Sequence, residues 1–230
     1  MECWVCELGE IDYNEALNLQ ERLIELRHQG KIPNVLLLLQ HPHIYTTGRR
    51  INPSHLLLSE EDMKEWDVKV VSTDRGGGIT YHGPGQIVGY PIVEIGNISR
   101  IKDYLNNLEE VLIRTLLAFG VVTERLPGYP GIWYGFEKVA AIGLRVTRGI
   151  TKHGFALNVS TDLSYFNNIV PCGIYDRNVT SLSKIVGQKI PLALVEQLII
   201  RNFAEIFNFE MVPIKKEVLF EILEDIDKAA

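Results

Sequence analysis

Residues 13–39, YNEALNLQERLIELRHQGKIPNVLLLL, carry a helical pattern that passes directly into an apolar strand. Apolar residues recur on one helix face from Tyr13 to Gln29, and Gly30 and Pro33 end this helix. The run from Val35 to Leu39 is short and aliphatic, which is typical of a buried strand. The segment therefore predicts a helix followed by a core strand of a sheet.

The pattern continues outward with mixed elements. Ser59 to Asp62 predicts a helix start with a reciprocal cap, and Val68 to Val70 predicts a strand. Gln86 to Ile95 is apolar but contains Pro91, which suggests an edge or bulged strand. Ile101 to Phe119 predicts a long amphipathic helix.

The second half repeats this mixture. Strands are predicted near Ile132 to Tyr134, Val139 to Val146 and Phe155 to Val159, and helices near Leu192 to Phe207 and Lys216 to Asp225. No repeat of fixed period and no linker divides the chain. The pattern predicts an α+β class and a single domain over residues 1–230.

Composition narrows the function classes. The chain has 230 residues, 46% of them hydrophobic and 23% charged, with a formal net charge of −6. No basic run with interleaved aromatic residues is present, so we expect no nucleic-acid partner. No apolar run approaches the roughly 20 residues that span a bilayer, and no export signal is visible, so we expect no membrane partner. Three cysteines, an odd number, favour reduced thiols and a cytoplasmic location.

A glycine-rich segment runs from Arg75 to Gln86, RGGGITYHGPGQ. Glycines let backbone amides approach a ligand closely, and the polar residues among them favour a binding role over a pair of tight turns. The segment lacks the Gly-Lys-Ser/Thr of a phosphate loop and the third glycine of a dinucleotide fingerprint. It predicts a binding site whose ligand it does not identify.

Two single residues are candidates for chemistry. Cys172 lies between Pro171 and Gly173, which suits a thiol presented at a turn, although a lone cysteine is most often a buried apolar residue. Lys138 begins a small-residue strand, where its charge would face a cavity or, more commonly, solvent. A lysine beside the thiol would favour the reactive thiolate, so a catalytic role for either residue depends on the presence of the other.

Other residues that could bind a metal give weaker signals. Cys3 and Cys6 form a C-x-x-C, but in a strand their spacing sends the two thiols to opposite faces. His41 and His43 could lie on the same face of a strand, but no third metal-binding side chain follows at a spacing typical of a metal site. We therefore predict no metal and no cofactor.

In order along the chain, four segments closely resemble the motifs of the lipoyl(octanoyl) transferases. They are Arg75 to Gln86, Lys138 to Gly143, His153 to Val159, and Pro171 to Ile174. His41 to Arg49 and Val179 to Leu182 are also similar to that family. The resemblance covers most of the chain from about Val35 to Leu182, and its most specific part is the Pro-Cys-Gly-Ile segment with the upstream lysine.

The resemblance implies a fold and a reaction. The fold would be that of biotin and lipoate protein ligases, a mixed β-sheet flanked by helices of the class II aminoacyl-tRNA synthetase type. The reaction would move octanoate, without ATP, from octanoyl-acyl carrier protein to a lysine of lipoyl domains, those of 2-oxoacid dehydrogenase E2 subunits and of the glycine cleavage H protein.

The resemblance also implies site residues. Cys172 matches the nucleophile that carries the acyl group as a thioester, and Lys138 matches the lysine that lowers its pKa and relays protons. The substrate pocket would be walled by Arg75, Gly76, Gly77, Gly78, Ile79, Thr80, Tyr81, His82, Ala141, Ile142, Gly143, Gly154, Phe155 and Ala156.

Three alternatives remain open at this point. An ATP-dependent lipoate or biotin ligase would use the same fold but would not need Cys172. An amidotransferase that moves octanoyl or lipoyl groups between proteins would use the thiol with another donor. A binding module without catalysis would dock carrier proteins only. We also expect basic patches at Arg49-Arg50 or Arg145 to Lys152 to dock acidic partner domains.

Overall fold

Helices and strands are mixed along the chain, and the strands assemble into two sheets. The computed structural model describes residues 1–170 and 178–228. The strands in these ranges are β1 Glu2–Glu10, β2 Asn34–Gln40, β3 Ile44–Thr47, β4 Lys69–Ser72, β5 Ile79–His82, β6 Gln86–Ile92, β7 Glu124–Leu126, β8 Tyr129–Tyr134, β9 Glu137–Thr147, β10 Ile150–Asn158, β11 Asn178–Val179 and β12 Glu210–Pro213. The helices are α1 Tyr13–His28, α2 Glu60–Glu65, α3 Ile101–Leu117, α4 Leu182–Val186, α5 Leu192–Phe207 and α6 Lys216–Lys228.

The large sheet is mixed. Its order is β12-β1-β2-β6-β10-β9-β8-β7, and β11 pairs with β9 outside this path. The pairs β12–β1, β1–β2 and β9–β11 are parallel, whereas the pairs from β2 to β7 are antiparallel. A small sheet, β4-β3-β5, stands beside it. Mixed strand directions and helices that cover a sheet confirm the α+β prediction.

Helices cover the large sheet on both faces, which explains the uninterrupted apolar run in β2. Leu36 and Leu38 join the core formed with α3 and α5, while Leu37 and Leu39 join the core formed with α1 and α6. A strand buried on both faces needs apolar residues at every position. Burial of each of these leucines stabilises the folded protein by roughly 1.5–3 kcal/mol relative to an exposed leucine.

Most of the predicted elements are present. The predicted helices correspond to α1, α3, α5 and α6, and the reciprocal cap at Ser59 is confirmed. Ser59 Oγ accepts from the Asp62 backbone N–H at 3.1 Å, and Asp62 Oδ2 accepts from the Ser59 N–H at 2.9 Å. None of the helices in the described ranges combines the length and apolarity that a bilayer crossing requires.

Pro91 does not mark a sheet edge, so that part of the prediction is wrong. Strand β6 lies in the middle of the large sheet, between β2 and β10. Thr151 of β10 bonds the β6 backbone beside the proline: its Oγ1 donates to the Pro91 carbonyl at 2.7 Å and accepts from the Val93 N–H at 2.9 Å. Nearby, His153 adopts a φ of +59°, and its N–H donates to Gln20 Oε1 at 2.8 Å. The neighbouring strand is distorted, and β6 remains central.

Candidate active site

The glycine loop, residues 75–78, is fixed from two sides by backbone hydrogen bonds. Gly48, Arg49 and Arg50 donate their N–H groups to the carbonyls of residues 78, 75 and 77 at 2.9–3.1 Å. Gly76 donates to the Leu144 carbonyl of β9 at 3.0 Å. Gly77 has a φ of +93°, which favours glycine. The loop is thereby held between the segment that follows β3 of the small sheet and β9 of the large sheet.

Arg75 is turned into the protein. Its Nη2 donates to the Thr46 carbonyl at 2.6 Å and to Thr46 Oγ1 at 3.0 Å, and Nη1 donates to the Gly76 carbonyl at 3.1 Å. The residue is 7% exposed. Arg75 therefore braces the loop, and its guanidinium is largely occupied by these carbonyl contacts.

A narrow inner pocket opens between the glycine loop, β5, β9 and β10. The structure brings most of the predicted wall residues together there. These are Arg75, Gly76, Gly77, Thr80, His82, Ala141, Ile142, Gly143, Gly154, Phe155 and Ala156, together with Lys138.

Three predicted wall residues lie elsewhere. Ile79 and Tyr81 alternate with Thr80 and His82 along β5, so their side chains point away from the inner pocket. They pack in the core of the small sheet, where Tyr81 Oη lies 2.7 Å from His43 Nδ1. Gly78 lines a different opening, described below.

The inner pocket also contains residues that were not predicted. Tyr13 of α1, Val88 and Tyr90 of β6, and His153 of β10 line it. His153 directly precedes the predicted Gly154, and Val88 and Tyr90 alternate along β6, so strand periodicity could have indicated these three. Tyr13 reaches the pocket through tertiary packing, for which the sequence carries no local signal.

Glycines create the space for this pocket and its supporting strands. A methyl group at Gly154 would lie 2.0 Å from the Gly89 carbonyl oxygen and 2.7 Å from Pro91 Cδ. One at Gly143 would lie 3.1 Å from the Gly76 carbonyl oxygen and 3.2 Å from Arg75 Cδ. Gly154 is thus required by the close approach of β10 and β6, and Gly143 by the close approach of β9 and the glycine loop.

His82 is a structural hydrogen-bonding residue of the pocket wall. Its Nδ1 donates to Gln86 Oε1 at 2.8 Å, and its Nε2 lies 3.4 Å from Thr46 Oγ1. Burial lowers the pKa of His82 to about 3. His41 is buried behind it, between the Ile11 carbonyl and Tyr90 Oη, and burial lowers its pKa to about 4. Both rings are neutral near pH 7.

His153 and Asp74 form a charge-bearing pair at the inner pocket. His153 Nε2 lies 2.5 Å from Asp74 Oδ1, and Nδ1 has no hydrogen-bond partner in the described part of the chain. Burial lowers the pKa of His153 to about 4 against the influence of Asp74. Burial opposes ionisation of Asp74, but the bonds from His153 and Lys152 outweigh it and lower its pKa to about 2.

The expected basic patch at Arg145 to Lys152 is neutralised by carboxylates. Arg145 contacts Asp74 at 3.1 Å, and Lys152 contacts both Asp74 and Glu21. Arg148 pairs with Glu25. These cations pair with carboxylates of the same chain, so the segment presents less net positive charge than its sequence predicts.

Lys138 stands where the site elements converge. It is 9% exposed, its Nζ donates to the Pro130 carbonyl at 3.2 Å, and Nζ lies 4.7 Å from the Trp133 ring centroid. A cation near an aromatic face is stabilised by the ring quadrupole. Lys138 also lines the inner pocket, so of the two environments considered from the sequence, cavity or solvent, the structure shows the cavity.

Cys172 lies outside the described residues, but the chain on both sides of residues 171–177 is described. Before them, the Val170 N–H donates to the His55 carbonyl at 2.8 Å. After them, β11 pairs with β9 so that Val179 is opposite Lys138, and the Thr180 N–H donates to the Lys138 carbonyl at 2.9 Å.

Cys3 and Cys6 are buried in the cores on opposite faces of the large sheet, as their spacing predicts. Burial raises the pKa of Cys3 to about 12 and that of Cys6 to about 11. Neither thiol is suited to act as a nucleophile near neutral pH.

An outer groove adjoins the inner pocket and has about 540 Å³ of open volume. The two share Gly76, Gly77, Lys138, Ile142 and Gly143. The outer groove is completed by residues that were not predicted to belong to the site, from the start of α3, from the β7–β8 turn and from Arg50.

Comparisons with known proteins agree with this architecture. Residues 12–204 match the model of the lipoyl protein ligase A/B catalytic domain. The octanoyltransferase of Desulforamulus reducens is 46% identical over 97% of this chain and 99% of its own length. That of Caldicellulosiruptor bescii is also 46% identical, over 96% of this chain and 98% of its own length.

A solved structure extends the comparison to the fold. A bipartite lipoate protein ligase from Thermoplasma acidophilum, studied with its E2 lipoyl domain, superimposes with a TM-score of 0.72 at 15% identity. The match covers 98% of this chain and 92% of the other. The expected mixed sheet of the biotin and lipoate protein ligases is confirmed.

Proposed function

We propose, because the chain belongs to the lipoyl protein ligase A/B catalytic family and within it to the octanoyltransferases, that it carries an octanoyl group as a thioester on Cys172. The group then passes to a lysine of a lipoyl domain, in lipoate biosynthesis. Lys138 is the acid and base partner of the thiol. The inner pocket holds the acyl chain, for which its apolar and glycine-lined walls provide a suitable surface.

The position of Lys138 carries this proposal. A buried lysine is costly unless a partner or a reaction uses its charge. Lys138 lies on the boundary between the inner pocket and the outer groove, and the strand that follows Cys172 in the sequence pairs beside it. The cation is therefore available where a thioester would be attacked.

The reaction has two balanced halves. In the first, the Cys172 thiolate attacks the donor carbonyl, the new C–S bond forms, and the donor thiol leaves with the proton that Lys138 supplies. In the second, the acceptor amine attacks the acyl-enzyme and loses a proton to Lys138. An amide forms and Cys172 is released as the thiolate. A thioester is already activated, so no step requires ATP.

The partners follow from this chemistry. The donor is octanoyl-acyl carrier protein, and the acceptors are the lipoyl domains of 2-oxoacid dehydrogenase E2 subunits and the H protein of glycine cleavage. Octanoyltransferase relatives, and the lipoate ligase studied with its E2 lipoyl domain, support lipoyl domains as acceptors. Unpaired thiols at Cys3 and Cys6 are in keeping with a reducing compartment such as the cytoplasm.

Intact mass spectrometry tests the proposal. The purified protein is incubated with octanoyl-acyl carrier protein without ATP, in parallel with the Cys172→Ala variant. We expect a hydroxylamine-labile octanoyl adduct on the parent protein only, and transfer of that group to an added lipoyl domain. If no adduct forms without ATP and octanoyl-adenylate forms when ATP is added, the chain acts as a ligase and the proposal is wrong.

A further inference from the structure

The outer groove begins where the inner pocket ends, at Lys138. The glycine loop and Arg50 line it, together with Lys102 in the first turn of α3 and the segment from Gly128 to Pro130. Lys138 connects the two spaces because it lines both, and its Nζ donates to the carbonyl of Pro130 at the start of β8. A ligand whose reactive carbonyl lies near Lys138 therefore has two spaces into which its two arms can extend.

A thioester has this two-armed shape. Its acyl arm and its thiol arm diverge from the carbonyl, and only one of them can occupy the inner pocket. The inner pocket is narrow and its exposed wall is mostly apolar, whereas the outer groove is wider, with about 540 Å³ of open volume. An unbranched acyl chain suits the apolar wall of the former, and the bulkier thiol arm suits the latter.

The rim of the outer groove carries positive charge without matching carboxylates. Arg50 and Lys102 are both exposed, and neither forms an ion pair within residues 1–170 and 178–228. By contrast, Arg145, Arg148 and Lys152 are all paired with acids. On a chain with a net charge of −6, two unpaired cations on one groove indicate an anionic ligand.

We propose that the outer groove binds the phosphopantetheine arm of the donor carrier protein, with its phosphodiester between Arg50 and Lys102. This inference rests on the proposed function. Arginine and lysine are the side chains that most readily bind phosphate oxygens. The apolar part of the groove, which includes Ile101, Leu105 and Leu144, contacts the dimethyl-bearing pantetheine chain. The backbone bond from Arg50 to Gly77 fixes this cation relative to the glycine loop.

The test compares two small donors that differ only in the phosphate, octanoyl-pantetheine and octanoyl-4′-phosphopantetheine. The rate of Cys172 acylation is measured by intact mass for the parent protein and for Arg50→Gln, Lys102→Gln and Arg49→Gln. Arg49 is the matched control, because it is an exposed neighbour that does not line the groove.

We expect the parent protein to prefer the phosphorylated donor, with a preference that falls about tenfold in Arg50→Gln and in Lys102→Gln. Reaction with octanoyl-pantetheine should change by less than about twofold in every variant, and Arg49→Gln should retain the preference. High salt should reduce the preference in the parent protein.

Two outcomes overturn the inference while leaving the proposed function intact. The first is equal acylation of Cys172 by both donors in the parent protein. The second is that ATP binds the parent protein and loses affinity in Arg50→Gln and Lys102→Gln, while both variants keep the donor preference; the groove is then a nucleotide site. If neither small donor nor octanoyl-acyl carrier protein acylates Cys172, the proposed function itself is wrong.

Discussion

Lys138 is a buried residue, and a neutral side chain of similar length could keep part of its packing. Its aliphatic stem packs near Gly131, and its head lies by the Trp133 ring and the Pro130 carbonyl. Removing the charge relieves a desolvation penalty but forfeits the hydrogen bond to the Pro130 carbonyl and the contact with the Trp133 ring, so these effects on stability oppose each other. For the rate of octanoyl transfer, no opposing effect offsets the loss of the charge.

We predict that Lys138→Met lowers octanoyl transfer by about 10²–10⁴-fold while the free energy of unfolding changes by no more than about 1 kcal/mol. The residual rate should rise with pH, because the Cys172 thiol must then ionise without a neighbouring cation. Single-turnover acylation across pH 6–9 measures this, with thermal denaturation as the control for folding. A full transfer rate in a folded Lys138→Met variant would remove this lysine from the mechanism.

At this scale, the residues that line the inner pocket could be predicted where they follow a local motif, but not where strand alternation turns neighbouring side chains to opposite faces. The glycine-rich segment predicts one continuous wall, but Ile79 to His82 form strand β5, in which alternate side chains face opposite sides. Tyr81 and Ile79 consequently belong to the small-sheet core. Tyr13 lines the pocket from a helix more than 60 residues away in sequence, a contact that only the tertiary fold creates.

At the scale of elements, the middle of the large sheet depends on a side chain that replaces backbone hydrogen bonding. Pro91 has no N–H, and Thr151 Oγ1 bridges the Pro91 carbonyl and the Val93 N–H at this point. Sequence rules assign proline to edge strands because they consider the backbone alone. The position of β6 could not be predicted, since the threonine that bonds its backbone beside Pro91 lies on a strand about 60 residues away.

We predict that Thr151→Val destabilises the protein by about 1–3 kcal/mol, because it leaves the Val93 N–H and the Pro91 carbonyl buried without their partner. Thr123→Val is the matched control. Its hydroxyl is buried with no hydrogen-bond partner among the described residues, so its removal should cost nothing measurable. Urea denaturation of both variants decides the matter; equal midpoints would show that Thr151 does not support the sheet.

At the scale of the whole molecule, three buried histidines make folding depend on pH. Burial lowers the pKa values of His41 and His153 to about 4 and that of His82 to about 3. Near pH 7 these rings are neutral in both the folded and the unfolded state. Below pH 6.5 the unfolded chain binds protons at these positions and the folded protein does not, so stability falls as the pH decreases toward 4.

We predict a decrease in the free energy of unfolding between pH 6.5 and pH 4, with each histidine contributing up to about 1.4 kcal/mol per pH unit. Replacing His41 with Gln should make this dependence shallower while His82 and His153 maintain the rest, whereas the His28→Gln variant, changed at an exposed position, should retain the decrease. Denaturation midpoints at several pH values provide the measurement. A stability that is constant from pH 6.5 to 4 would contradict the burial of neutral rings.

Much of the global fold could be predicted, because strong local periodicity marks α1, α3 and α5 and a two-sided apolar run marks β2. The order of the strands could not be predicted, because the strands that pair are often far apart in the sequence. Nothing in Glu210–Pro213 indicates that this short strand joins β1.

The parallel pairing of β1 with β12 joins residues roughly 200 positions apart, Glu2 opposite Glu210. On a ribosome that adds 5–20 residues per second, β1 emerges roughly 10–40 s before its neighbour β12 is made. During that interval one edge of β1 has no strand beside it, and an open edge is a template for pairing with another chain. Nascent-chain association is therefore governed by how quickly translation reaches β12, and slowing synthesis upstream of it lengthens the vulnerable period.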